Sequence, residues 1–256
     1  MDGLAKLQTV RDIMTERPVA VDYDTPILKA LKRMLRRRVG HLVVERQGEY
    51  VNLLSERDVL GIVPERMDQL RTASAGSMAS SHSFTISPRT GIRGAAKVML
   101  SEKAKLLLVS TKPTGVLTAT DLAYSLPFTR GAQPKLTSTM TMEVERVDYD
   151  TPLEDVMRLM REKRIGSVVV TRRQRRYGIF TEGDLLPVLT AEPLDIKAPV
   201  GKHCSRPVIT APLKSSMEEV VTLMKKNRAK RLPLTKDGKI VGIVTARDIV
   251  DAYAKL

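Results

Sequence analysis

One phrase recurs four times at a nearly fixed interval, and no other feature limits the fold as much. The last copy is Ile240 to Asp248: a short apolar run with a Gly, then Thr245, then Arg247-Asp248. Earlier copies are Gly178-Ile179-Phe180-Thr181-Glu182-Gly183-Asp184, Gly115-Val116-Leu117-Thr118-Ala119-Thr120-Asp121 and Asn52-Leu53-Leu54-Ser55-Glu56-Arg57-Asp58. Their aspartates stand 63, 63 and 64 residues apart. A fixed period means one supersecondary unit used repeatedly.

A unit of about 60 residues is marginal alone. The four are therefore expected to pack in pairs and share a core. Their expected bounds are residues 8–63, 73–128, 135–189 and 198–256. A second level of repetition is visible. Val21-Asp22-Tyr23-Asp24-Thr25-Pro26 recurs unchanged as residues 147–152, which is 126 residues later. The chain reads as a pair of units, duplicated, with the polar stretch Thr129 to Lys135 between pairs. Pro64 to Ala75 and Thr190 to Pro199 read as connectors within them.

Each unit opens with a short anchor ending near a sulfur-bearing residue: Met14, Met78, Met140 and Cys204. Cys204 thus reads as a small buried apolar residue. His203 beside it has no Cys or His cluster to make a metal site. Thr25-Pro26 and Thr151-Pro152 have the form of an N-cap followed by Pro at the first helical position, with Thr90 and Ser215 in the equivalent places. Helical periodicity follows, in Ile27, Ala30, Leu31, Met34, Leu35 and again in Leu153, Val156, Met157, Met160 and Met217, Val220, Val221, Met224. Buried strands are expected at Leu42–Val44, Leu106–Val109, Val168–Val170 and Leu232–Leu234. A turn, clearest at Lys236-Asp237-Gly238, leads into the signature strand. The unit reads strand, helix, strand, strand, helix: an α/β fold.

Composition narrows the class. Hydrophobic residues make 42% of the chain, which argues against global disorder. No apolar run approaches the ~18 residues of a membrane span. The N-terminus lacks a secretory core, and one cysteine excludes a disulfide framework, so a cytoplasmic location is expected. Lys plus Arg number 43 against 29 Asp plus Glu, a formal +14, which favours anionic partners.

The signature has two readings. A Ser or Thr followed three residues on by an acid is a capping box, here Ser55 with Asp58, Thr118 with Asp121, Thr181 with Asp184 and Thr245 with Asp248. The same corner can also cradle a ligand. Helix amides face an anion, a hydroxyl meets phosphate, and a carboxylate accepts bonds from vicinal ribose hydroxyls. Arg57 and Arg247, just before the acid, would offer a charged fork. Spacing alone favours the cap.

Taken together, the period, the anchors, Thr25-Pro26, Arg231-Leu232-Pro233-Leu234 and the Gly-x-x-Thr-x-x-Asp run resemble the cystathionine β-synthase (CBS) domain, in four copies. The resemblance implies two tandem pairs with clefts for adenosine-containing ligands. The layout is similar to the gamma subunit of AMP-activated protein kinase, whose units form a disc. By position it implies that Asp58, Asp121, Asp184 and Asp248 hold ribose. Ser55, Thr118, Thr181 and Thr245 meet phosphate, as do Arg57 and Arg247. Backbone at Val19 and Val208 edges adenine. Arg231, in the strand position of His41 and Ser167, reaches phosphate. Unit one departs with Asn52 for Gly, and unit two with Leu106 for His41, so Asp121 is the weakest of the four sites.

The expected function is a regulatory sensor of AMP, ADP or ATP, with S-adenosylmethionine as an alternative ligand and a protein effector in trans. A homodimer is compatible with this. The scattered His41, His82 and His203 make no catalytic arrangement, and no Walker loop exists, so no enzyme is expected. The competing class is a DNA- or RNA-binding protein using Arg36-Arg37-Arg38, Arg172-Arg173 with Arg175-Arg176, and Lys225-Lys226 with Arg228, Lys230 and Arg231. Their plain reading is helix C-termini and turns.

Overall fold

The computed structural model describes residues 8–61, 64–80, 84–104, 106–112, 114–127 and 134–256. His82, residues 129–133 of the expected boundary and the closing residues of the first two repeats lie outside them. Repeat 1 comprises α1 (Val10–Ile13), β1 (Ala20–Asp22), α2 (Ile27–Arg37), β2 (His41–Arg46), β3 (Glu49–Ser55) and α3 (Glu56–Leu60). A short helix, α4 (Gln69–Thr72), occupies part of the expected connector. Repeat 2 has α5 (Ala75–Met78), β4 (Phe84–Ile86), α6 (Ile92–Ser101), β5 (Leu106–Val109), β6 (Gly115–Thr118) and α7 (Ala119–Ser125). Repeat 3 has α8 (Leu136–Thr139), β7 (Arg146–Asp148), α9 (Leu153–Glu162), β8 (Ser167–Arg172), β9 (Arg175–Thr181), a 3-10 turn at Glu182–Asp184 and α10 (Leu185–Leu189). Repeat 4 opens with a 3-10 turn at Val200–Lys202, then β10 (Ala211–Pro212), α11 (Met217–Asn227), β11 (Arg231–Lys236), β12 (Lys239–Thr245) and α12 (Ala246–Ala254).

Each repeat builds a three-stranded sheet. Its first strand runs parallel to the second, across the long helix, and the second pairs antiparallel with the third. The hairpins of repeats 1, 3 and 4 turn on two residues of positive φ: Gln47-Gly48, Arg173-Gln174 and Asp237-Gly238. Such mirror-image turns match the twist of the flanking strands. The long helices start one residue later than their Thr-Pro signals suggest, after Pro26, Gly91, Pro152 and Ser216. In repeat 4 the Ser216 hydroxyl caps the Glu219 amide at 3.1 Å, so Ser216 rather than Ser215 is the cap.

The apolar helix faces bury into two cores, and the repeats that share each core alternate along the chain. Ile27, Leu31, Met34 and Leu54 of repeat 1 join Leu153, Met157, Met160 and Phe180 of repeat 3. Met99, Leu107 and Leu122 of repeat 2 join Met224, Val244 and Ile249 of repeat 4. The chain accordingly divides into two compact units.

The anchors do not stay with the repeats they open. Thr15 pairs with Val116 of repeat 2, and Ser80 with Leu53 of repeat 1. Thr141 pairs with Ile243, and Ser205 with Ile179. This register corrects the alignment of the anchors: Ala79, not Met78, is the counterpart of Met14, Met140 and Cys204. Opposite those three sulfur-bearing side chains stand Gly115, Gly242 and Gly178. A Cβ at these glycines would lie 2.9, 2.6 and 2.3 Å from the respective sulfur atoms. Opposite the small Ala79 stands Asn52, whose amide donates to the Gly76 carbonyl at 3.2 Å. Asn52 therefore reflects a size exchange with the anchor. The repeated Val-Asp-Tyr-Asp-Thr-Pro motif has a packing reason too: the rings of Tyr23 and Tyr149 fill the space where Gly76 and Gly201 would carry a Cβ.

Candidate functional site

At all four corners the signature acid closes a capping box. Its Oδ2 accepts both the backbone amide and the hydroxyl of Ser55, Thr118, Thr181 or Thr245, at 2.5 to 2.8 Å. The Thr118 and Thr245 hydroxyls also accept the amides of Asp121 and Asp248, at 3.2 Å. A cap of this kind contributes about 1 kcal/mol. The hydroxyls expected to meet phosphate here donate to the carboxylate, and each acid keeps one oxygen, Oδ1, outside its cap.

Two of those Oδ1 atoms have partners that sequence reasoning missed. Ser80 donates to Asp58 and Ser205 donates to Asp184, the latter at 2.9 Å. Both serines come from anchors, and only the exchange of anchors between sheets brings them there. The local signal was a hydroxyl residue after the sulfur position, Thr15, Thr141 and Ser205, matched by Ser80 once Ala79 is aligned. Desolvation by burial pushes the carboxyls of Asp184 and Asp248 above the usual range, opposed by their bonds to Thr181 and Thr245. Glu56 adds to the rise at Asp184. At Asp248 the acid Asp251 also raises the value and the Arg231 guanidinium lowers it.

Arg231 sits where expected. It pairs across the sheet with Thr245, as His41 does with Ser55, Ser167 with Thr181 and Leu106 with Thr118. The other two arginines are turned elsewhere. Arg57 binds the buried Glu182 at 2.6 Å and the Arg164 carbonyl at 3.3 Å. Arg247 binds Asp251 at 2.7 Å, the Met99 carbonyl at 3.0 Å and the Ala104 carbonyl. Arg247 thus reaches the last turn of α6 and the residues just past it, and Arg57 the chain just past α9, each in the repeat that shares its core. These forks clamp helices. The Val19 carbonyl accepts the Val43 amide at 3.0 Å. Val208 follows the anchor that carries Ser205, beyond a cis Arg206-Pro207 bond. The basic runs occupy helix ends and turns: Arg36 and Arg37 close α2 and Lys225 and Lys226 close α11, with Arg38 and Arg228 as left-handed C-caps.

The CBS domain model matches residues 10–65, 136–191 and 200–255. The chain belongs to the CBS domain family. Repeat 2, which lacks a polar residue at the His41 position, lies outside the three matched stretches. A relative in sequence is the uncharacterized protein MJ1404 of Methanocaldococcus jannaschii, 26% identical over 97% of this chain and 62% of its own length. An inosine-5'-monophosphate dehydrogenase of Thermoplasma acidophilum is 32% identical, over 42% of this chain but only 21% of the dehydrogenase. Among solved structures, protein MJ1225 of Methanocaldococcus jannaschii, described as a proposed archaeal homolog of g-AMPK, superposes with a TM-score of 0.83. That match covers 96% of this chain and 100% of MJ1225 at 18% identity, a likeness of fold. Among the described residues no helix is long and apolar enough to cross a membrane.

Proposed function

We propose that this CBS protein is a cytoplasmic regulatory sensor that binds AMP, ADP or ATP at its strand-to-helix corners and catalyses no reaction. The observation that carries the reading is the repeat 4 corner. Asp248 keeps Oδ1 outside its cap, in a half-buried setting where burial raises its pKa and the nearby Arg231 guanidinium opposes that rise. A carboxylate oxygen with free lone pairs suits ribose hydroxyls, and a neighbouring guanidinium suits phosphate. The CBS family and the fold shared with MJ1225 support an adenosine ligand, S-adenosylmethionine being the alternative. Arg57 and Arg247 support the scaffold in this proposal, so discrimination by phosphate number falls to Arg231. Signalling follows from differential affinity for two conformations read by a protein partner.

Calorimetry with AMP, ATP and S-adenosylmethionine tests the site. Asp248→Asn retains an acceptor for the cap and removes the charge. We expect it to weaken nucleotide binding at least about tenfold, the loss of one charge-assisted bond, with the melting temperature little changed. Arg231→Gln should narrow the difference between AMP and ATP. Wild-type affinity in Asp248→Asn would refute the assignment.

A further inference from the structure

We infer that repeat 1 carries a second anion site, for an oligophosphate, on the exposed side of α2 and apart from the corners. A cavity of about 430 Å³ is lined by Val21, Asp22 and Thr25 with Lys29, Lys32, Arg33 and Arg36. The volume lies within the ordinary range of small-ligand sites. The four cations are spaced i, i+3, i+4, i+7 and so share one helix face. From Lys29 to Arg36 they span about 10 Å of axis. Charge spread over that length matches linked phosphoryl groups better than a single phosphate.

Comparison among the repeats makes the stripe specific. Arg33 occupies the position of Val98, Leu159 and Leu223, each of which packs aliphatic surface against a core. Its Nε is buried and has no hydrogen-bond partner. A buried donor without an acceptor is unfavourable, and an anion in the cavity would offer the Arg33 side chain one. Lys29 stands in the first turn, where repeats 3 and 4 place Asp155 and Glu219. A cation there opposes the helix dipole, and its i, i+4 neighbour Arg33 repels it. Lys32 has an exposed ion pair with Glu192 at 3.2 Å, and Asp22 accepts the Asp24 amide at 2.9 Å. Neither neutralises the stripe.

Titration calorimetry of the full chain with tripolyphosphate is the test. We expect Arg33→Leu, the residue type of repeats 3 and 4, to weaken binding at least tenfold. The same substitution should leave the unliganded melting temperature equal or higher. Should Arg33→Leu fail to fold, Lys29→Gln with Arg36→Gln, both at exposed positions, gives the same reading. The charge-matched control is Lys225→Gln with Lys226→Gln, which should bind as the wild type does. Absence of wild-type binding would overturn the proposal, as would an equal loss in the control, which would mark the binding as diffuse attraction to a basic protein. Asp248→Asn should leave tripolyphosphate binding unchanged, so this site and the nucleotide corner fail or stand separately.

Discussion

Single residues in this protein often serve two partners, and the local one is served first. Asp248 illustrates this: Thr245 takes Oδ2, and only Oδ1 remains for anything else. The contacts opposite the anchors obey a stricter rule. Gly178 faces Cys204 and Asn52 faces Ala79, so a large partner on one side requires a small one on the other. Gly178→Ala should therefore destabilise the protein by about 1–3 kcal/mol, the usual cost of overpacking. Cys204→Ala in the same chain should recover part of that loss, reproducing the arrangement of repeat 1. The Ser205 carbonyl, 3.1 Å from the added Cβ, limits the recovery. Denaturant melts of the two single variants and the double variant give the coupling energy. Strict additivity would show that the sulfur atom is not what excludes a side chain at position 178.

At the level of elements, the hairpins of repeats 1, 3 and 4 use one turn geometry with different residues. Repeats 1 and 4 place Gly48 and Gly238 at the second positive φ, whereas repeat 3 holds Gln174 at +60°. A left-handed conformation costs a residue with a Cβ roughly 1 kcal/mol. Gln174→Gly should accordingly stabilise the protein by about 0.5 kcal/mol after the greater chain entropy of glycine is deducted. Chemical denaturation would detect it, and a lower midpoint would mean that the Gln174 side chain contributes more than its backbone strain costs. The caps behave consistently as well. A Ser or Thr three residues before an acid was read from spacing, and each of the four forms the reciprocal bonds. Both bonds of a capping box span three residues, so nothing distant can redirect them.

For the molecule as a whole, each core draws on both halves of the chain. Repeats 1 and 3 fill one, and repeats 2 and 4 fill the other. A cut within residues 129–133 therefore divides both cores at once. Each half, expressed alone, should expose its apolar helix faces and self-associate rather than persist as a monomer. Analytical ultracentrifugation of the two halves would decide this, and a stable monomeric half would contradict the shared cores. Mixed together, the halves should restore the melting behaviour of the intact chain.

The sequence by itself determined the repeat, the order of elements within it and the corner caps. Periodicity and three-residue spacings act through neighbours, and four copies of one pattern report them four times over. Which repeats share a core was decided only by tertiary structure. The helix faces of Ile27 to Met34, Ile92 to Met99, Leu153 to Met160 and Met217 to Met224 are all apolar in the same pattern, so no local signal chooses among partners. The contacts of Arg57 and Arg247 depend on tertiary packing in the same way. A guanidinium beside a helix start can face an anion or a neighbouring helix end, and carbonyls in the last turn of α6 and just past α9 lie within its reach once the helices are packed.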